Sequence, residues 1–298
     1  MRIGTAVVGR GPAARRMAEG LRRSGAYEVL SLLEGCPAGD GSELTERRWR
    51  SVLSRPDVDF VALCLPPADL LEPASAVLAA NKAVLLDGLV PASLTEFDAL
   101  SARQSADTPL GVMLPLRMLL DAGQWPVGSS PVTCGSLELS RFVPEASHDD
   151  PLWASTGRSW QEGAVVALLA PYLDLACQLL GEPVAIRLDG VERGTAAGSA
   201  RFTSGAQLSI AVTINSVNPV QRLEVLDAER RFTLDGGTLR ISDRSTTRTR
   251  KTPTMSELHM AVYHEMADAL LAGRQPEKSA FALSRGLATA MTLLNPST

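Results

Sequence analysis

The first part of the chain alternates short apolar runs with amphipathic stretches. The apolar runs predict strands at Ile3–Val8, Tyr27–Leu33, Asp57–Leu65, Ala83–Leu86 and Leu110–Leu114. The intervening stretches predict helices at Ala13–Ser24, Glu43–Leu53, Leu70–Ala80 and Leu94–Gln104. Strands that alternate with helices at this spacing form right-handed βαβ units, so a parallel sheet is expected here.

The pattern changes after Leu120. A strand at Val132–Phe142 and a long apolar helix at Gly163–Gly181 are predicted first. Six short strand patterns follow, at Val184–Asp189, Ser199–Thr203, Ala206–Ile214, Gln221–Leu226, Arg231–Leu234 and Thr238–Ile241. Turn residues separate these strands, which is typical of a largely antiparallel sheet. Two helices are predicted after the strands, at Met255–Leu271 and Ala280–Leu294.

A glycine-rich turn joins the first strand to the first helix. Gly9, Gly11 and Ala14, with Arg10 and Pro12 between them, give the pattern G-x-G-x-x-A. The first glycine permits a tight turn, the second lets a pyrophosphate approach the backbone, and the small alanine allows close helix–strand packing. Free N–H groups at the start of the helix attract an anion. The turn therefore predicts a dinucleotide site.

The carboxyl ends of the other strands carry further candidates, because ligands of parallel sheets lie beyond those ends. Glu34 ends the second strand roughly 20 residues after the glycines, where a carboxylate binds ribose hydroxyls. A carboxylate there repels a 2′-phosphate, so NAD(P) is the expected cofactor with NAD slightly favoured. Leu65, Pro66 and Asp87 end the next two strands and complete the predicted cofactor site.

Composition narrows the class of protein. The chain has 298 residues, 45% of them hydrophobic and 21% charged, with a net charge of −4, so nucleic-acid binding gains no support. There is no unbroken run of the ~18 apolar residues that a membrane span needs, and the chain begins directly with a strand instead of a signal peptide. Its four cysteines are scattered without metal-ligand spacing. We expect a cytoplasmic protein without a metal site.

Several segments match one known family in their order and spacing. They are Pro56–Val61 with Leu65–Pro67, Asn81–Leu89, Tyr172–Leu175 with Leu180–Val184, and Gln221–Val225 with Gly236–Leu239. Together they resemble the Gfo/Idh/MocA oxidoreductases. The resemblance implies an N-terminal Rossmann dinucleotide-binding domain and a C-terminal α/β domain whose mostly antiparallel open sheet often joins subunits. We therefore expect domains at 1–118 and 119–298, a small-molecule substrate and a homo-oligomer.

The chain departs from this family at the positions that carry its chemistry. The lysine of the family's E-K-P segment falls on Gly88. The aspartate and histidine of its active-site helix fall on Ala167 and Pro171, and only the last carboxylate of that motif, Asp174, is retained. Hydride reduction of a ketone needs a proton for the developing alkoxide, and a positioned acid contributes ~10²–10⁴-fold. The usual sugar or polyol mechanism is therefore not expected.

Candidate replacements for the missing acid lie near these positions. Tyr172 adjoins the lost histidine, and Arg117 follows the fifth strand, where it is able to clamp a carboxylate or stabilise an oxyanion. With Asp174 these form the predicted catalytic set, against the alternatives of aromatic packing, a surface ion pair and a structural carboxylate. His148, Arg158 and Glu162 are weaker candidates. The basic run from Arg244 to Lys251 predicts a solvated hairpin or loop, with an anionic partner as the alternative.

Two hypotheses for function follow. The first is an NAD(P)-dependent oxidoreductase with an unconventional active site, most plausibly a reductase of a specialised metabolite. It would use a replacement acid, or a substrate such as an imine or conjugated system that needs little help. The second is a family member that has lost redox catalysis and serves as a non-redox enzyme, for example a cyclase, or as a binding or scaffold protein.

Overall fold

The structure is a computed structural model, and it describes residues 2–9, 11–34, 49–88, 93–120, 133–144 and 159–294. Two compact units divide the chain. The first contains the described residues up to Pro115 together with His259–Ser284. The second contains the described residues of 116–258 and those from Arg285 onward.

The first unit is built on a five-stranded parallel sheet in the order β2-β1-β3-β4-β5. The strands are β1 (Ile3–Gly9), β2 (Tyr27–Glu34), β3 (Phe60–Cys64), β4 (Ala83–Leu86) and β5 (Leu110–Val112). The helices between them are α1 (Gly11–Ser24), α2 (Leu71–Ala79) and α3 (Leu94–Ser101). The predicted parallel sheet is confirmed. Most of the helix predicted at Glu43–Leu53 lies outside the described residues.

The pattern of buried residues explains why these strands and helices pack together. Every residue of β1, β3, β4 and β5 is buried, as expected for strands covered on both faces. Helix α1 buries one face, through Ala13, Ala14, Met17, Ala18 and Leu21. Ser93 caps α3 as predicted, since its hydroxyl accepts the N–H of Glu96 at 3.2 Å.

The second unit is built on an eight-stranded sheet in the order β13-β12-β11-β10-β6-β9-β8-β7. Its strands are β6 (Cys134–Phe142), β7 (Pro183–Asp189), β8 (Thr195–Phe202), β9 (Gln207–Thr213), β10 (Asn215–Leu226), β11 (Arg231–Asp235), β12 (Thr238–Ser242) and β13 (Thr247–Lys251). Only the β6–β9 pairing is parallel. The predicted mostly antiparallel sheet is therefore confirmed, and its pairing between subunits stays a prediction.

Helix α4 (Trp160–Leu180) is the central helix of the second unit. A capping box starts it, in which Ser159 N–H donates to the Glu162 carboxylate at 2.9 Å and Glu162 N–H to the Ser159 hydroxyl at 3.3 Å. The helix continues through Pro171. It is long and apolar enough to cross a membrane, but 72% of its apolar window is buried inside the protein, as in a core helix.

The basic run from Arg244 to Lys251 lies in a hairpin, which agrees with one of the two predicted alternatives. Strand β13 pairs with β12 and is the exposed edge strand of the sheet. Charged residues on an edge strand oppose pairing with another chain.

Helix α5 (Met255–Leu271) has the predicted bounds, but most of it belongs to the first unit, not to the predicted second domain. Shape complementarity accounts for this: the Tyr263 ring fills the space that a side chain at Gly20 would need. Tyr27 donates a hydrogen bond to the Tyr263 carbonyl at 2.6 Å, and Val112 N–H donates to the Ser279 carbonyl at 2.8 Å. The compact units are therefore not continuous in sequence, although the functional division at residue 118 stays a prediction.

The last predicted helix is shorter than expected. Ala280 forms an isolated antiparallel bridge with Gly111, and a 3-10 turn follows at Phe281–Ser284. Helix α6 then runs from Arg285 to Leu293.

We expect Tyr263→Ala to destabilise the protein by ~3–5 kcal/mol, because truncation of a buried aromatic leaves a cavity. Leu271→Ala, on the same helix, is the control: that side chain is 66% exposed, so its truncation is expected to stay within ~0.5 kcal/mol of the parent. Denaturant unfolding measures both changes. Equal stabilities of the two variants would contradict the role given to Tyr263.

Candidate functional site

The carboxyl edge of the parallel sheet gathers most of the predicted cofactor residues. In the strand register Gly9 lies beside Glu34 of β2 on one side and Cys64 of β3 on the other. Asp87 follows β4 directly, and its N–H donates to the Leu63 carbonyl at 2.9 Å. Parallel pairing thus brings residues that are far apart in sequence to a single edge.

Two glycines give this edge its shape. A Cβ on Gly9 would come within 2.6 Å of the Cys64 Cβ, so only glycine fits against β3. Gly11, with a φ of +66°, starts α1, and a Cβ added there would meet no described residue within 4 Å. Ala14 is fully buried and lets α1 pack closely on the sheet. Open space at the uncovered start of a helix fits a diphosphate group.

The remaining cofactor candidates differ in what the structure shows of them. Leu65 and Pro66 are buried, and the Pro66 carbonyl accepts the Asp69 N–H at 2.9 Å in the turn after β3. Pro12 is exposed in the first turn of α1. Arg10 and the side chain of Glu34 lie outside the described residues, as do His148 and Arg158.

Asp87 has a buried neighbour that the sequence did not predict. Burial raises the pKa of the Cys64 thiol well above its usual value, and the charge of the Asp87 carboxylate raises it further. Cys64 is therefore protonated at neutral pH and is not a reactive thiolate.

The sequence resemblance predicts that the family's lysine falls on Gly88. Its φ is +65°, a left-handed conformation in which side chains with a Cβ are strained. The backbone at this position thus suits glycine and disfavours lysine.

Arg117 and Asp174 bind each other in the interior of the second unit. Arg117 Nε donates to Asp174 Oδ2 and Arg117 Nη2 to Asp174 Oδ1, both at 2.7 Å. Each side chain is only 1% exposed. This bidentate pair ties the 3-10 segment Pro115–Leu120 to α4. The geometry favours a structural role for both residues over the predicted catalytic one, since neither is accessible to a substrate.

Tyr172 lies in a different environment on the same helix. It lines a cavity of about 420 Å³ within the second unit, although its side chain is only 5% exposed. Its hydroxyl makes no hydrogen bond to any residue that the structure describes. Burial raises the pKa of Tyr172 to about 12, so the phenol stays protonated at neutral pH. Glu162, by contrast, is occupied in the capping box of α4.

No group of three or more His, Cys, Asp or Glu residues within the described ranges is arranged to hold a metal ion. The described cysteines Cys64, Cys134 and Cys177 are free thiols.

No protein-family model and no curated protein matches the chain. Solved structures do match, over nearly the full length of both chains. A levoglucosan dehydrogenase in complex with NADH and levoglucosan is 16% identical, with a TM-score of 0.76 and coverage of 100% of this chain and 97% of the other. A UDP-N-acetylglucosamine 3-dehydrogenase from Acidithiobacillus ferrooxidans is 18% identical, with a TM-score of 0.77 and coverage of 100% and 98%.

A biliverdin reductase from Synechocystis sp. PCC 6803, in complex with biliverdin and NADP+, is 15% identical, with a TM-score of 0.70 and coverage of 98% of each chain. These neighbours are NAD(P)-dependent dehydrogenases and reductases of the Gfo/Idh/MocA type. The chain has the two-domain fold of that type, with a Rossmann-like parallel sheet and a mostly antiparallel second sheet.

We expect Asp174→Asn to lower the free energy of unfolding by ~3–5 kcal/mol, because it leaves the Arg117 charge buried and uncompensated. Arg222→Gln is the control, since Arg222 forms an exposed ion pair with Asp235 in the same unit and is expected to cost ~0–1 kcal/mol. Denaturant unfolding compares the two. Parent-like stability of Asp174→Asn would refute the structural role.

Proposed function

We propose that this protein is an NAD(P)-dependent oxidoreductase related to the Gfo/Idh/MocA enzymes, and that it reduces a small molecule with an unconventional set of active-site residues. The open space at Gly11 is the observation that carries this proposal. It lies at the start of α1 on the carboxyl edge of the parallel sheet. A diphosphate there would accept hydrogen bonds from backbone N–H groups and would lie at the positive end of the helix dipole.

The residues at this edge fit a nicotinamide dinucleotide. Gly11 leaves the backbone accessible, Glu34 ends the neighbouring strand, and Asp87 follows β4. Helix α1 has no acidic residue in its first turn that would repel a phosphate. The bound cofactor would supply a hydride. The predicted preference for NAD rests on Glu34 and is part of the proposal.

We assign the proton donor to Tyr172. Hydride addition to a carbonyl or imine carbon leaves a strongly basic oxygen or nitrogen atom, and a phenol with a pKa of about 12 transfers its proton to such a base. The resulting phenolate is reprotonated from solvent. Tyr172 supports this role because it lines a cavity and its hydroxyl has no partner among the described residues.

A second candidate function is a binding or non-redox role, such as ring closure, without hydride transfer. The observation that favours it is the replacement of three polar family positions by Gly88, Ala167 and Pro171. The open space at Gly11 weighs against it, because a protein that binds no nucleotide has no need to leave the start of α1 open.

Gly11→Asp is expected to weaken the binding of NADH and NADPH by at least ~100-fold, since it fills the open space with a negative charge. Aspartate tolerates a positive φ, so the fold should persist. Gly25→Asp is the matched control: Gly25 follows the other end of α1, has a φ of +75°, and also has nothing within 4 Å of an added Cβ. Calorimetric titration measures both variants and the parent.

The parent binding neither nucleotide at millimolar concentration would refute the oxidoreductase proposal and leave the non-redox role. Equal affinities of Gly11→Asp and Gly25→Asp would show that the nucleotide binds somewhere other than the start of α1.

Tyr172→Phe is expected to lower kcat for NAD(P)H oxidation by ~10²–10⁴-fold while nucleotide affinity stays unchanged, because it removes only the proton donor. The substrate would come from a screen of carbonyl, imine and conjugated compounds. Tyr27→Phe, which removes a buried phenol in the first unit, serves as the control. Unchanged turnover of Tyr172→Phe would eliminate tyrosine as the acid.

A further inference from the structure

The cavity that Tyr172 lines lies wholly within the second unit. The segment after β5, helix α4, the β11–β12 hairpin and the start of α5 form its walls. Five large apolar side chains line it: Leu116, Leu119, Leu234, Met255 and Leu258. A volume of about 420 Å³ with mainly apolar walls is typical of a site for a small organic molecule.

Three polar groups on this cavity are left without partners. Throughout the described ranges, no residue forms a hydrogen bond with the Tyr172 hydroxyl or the Gln221 side-chain amide, and none forms an ion pair with Lys251. Tyr172 is the most notable of the three because its side chain is almost completely buried. These donors and acceptors face one mainly apolar cavity, where a bound small molecule would reach all of them.

The charge on the cavity has one sign. Among the described residues that line it, Lys251 is charged and none is acidic. Two described acidic residues near it are already engaged. Glu257 accepts hydrogen bonds from the Thr254 N–H and hydroxyl at 2.7 and 2.8 Å, and Asp235 is paired with Arg222. The ammonium group of Lys251, on the exposed strand β13, is thus available to attract an anion beside a largely apolar surface.

The turn between β11 and β12 presents two glycines to this cavity. Gly236 and Gly237 have φ values of +51° and +92°, as a two-residue turn between antiparallel strands requires. A Cβ on Gly236 would meet nothing within 4 Å. Thr252 N–H donates to the Gly237 carbonyl at 2.9 Å and fixes the turn to the chain that follows Lys251.

We infer that this cavity binds a small organic anion with an apolar body, whose acidic group pairs with Lys251 and whose remaining polar atoms bond to Tyr172 and Gln221. The binding itself requires no hydride transfer. That the bound anion is also the compound reduced rests on the proposed function.

The test titrates the full-length protein, without nucleotide, with two fluorescent probes of similar shape. One is 8-anilinonaphthalene-1-sulfonate, an apolar aromatic anion, and the other is its uncharged relative N-phenyl-1-naphthylamine. We expect the parent to bind the anion at least ~10-fold more tightly, because only the anion pairs with Lys251. Lys251→Gln should abolish this preference by weakening the anion alone. Arg248→Gln, on the same strand but not on the cavity, should keep it.

Equal affinities of the parent for the two probes would overturn the inference, as would an anion preference that Lys251→Gln retains or that Arg248→Gln removes. A parallel titration with NADH separates this inference from the proposed function. Anion preference without NADH binding would contradict the oxidoreductase and leave the cavity site standing. NADH binding without anion preference would do the reverse.

Discussion

The buried ion pair between Arg117 and Asp174 is the interaction on which the second unit depends. Removing both charges from water is costly, and two short N–H···O bonds in a bidentate arrangement offset that cost. The pair also sets the cavity walls. Leu116 and Leu119 flank Arg117 on one segment, and Tyr172 precedes Asp174 by two residues on α4. A structural charge pair thus positions the hydroxyl to which we assign the chemistry.

In the first unit, the close packing of neighbouring strands constrains the backbone at the sheet edge. Parallel pairing brings the ends of β1, β2 and β3 to one edge, and the close approach of Gly9 to Cys64 leaves no room for a side chain. At the same edge, Gly88 has a left-handed backbone that suits glycine and strains any residue with a Cβ.

Local patterns predicted the elements well. Strand β4 and helix α5 have the predicted bounds, and Ser93 caps α3 as its sequence indicated. These features depend on neighbouring residues alone. The packing of α5 in the first unit could not be predicted from the sequence. It depends on how Tyr263 fits against Gly20, more than two hundred residues away in sequence.

The candidate site also has features that local sequence predicts and features that depend on distant residues. The glycine pattern predicted the tight turn between β1 and α1, because backbone geometry dictates those residue types. Other features depend on strand register and helix packing, which cannot be read from the type of each residue. They are the pairing of Arg117 with Asp174 and the cavity that Gln221 and Lys251 line together with Tyr172.

A crystal structure of the protein grown with NADH would test whether the start of α1 holds the diphosphate of a nicotinamide dinucleotide. We predict the diphosphate against the backbone N–H groups at Gly11, with the adenosine ribose toward Glu34 at the end of β2. A nucleotide bound away from this edge, or a crystal that takes up none at saturating NADH, would contradict the account.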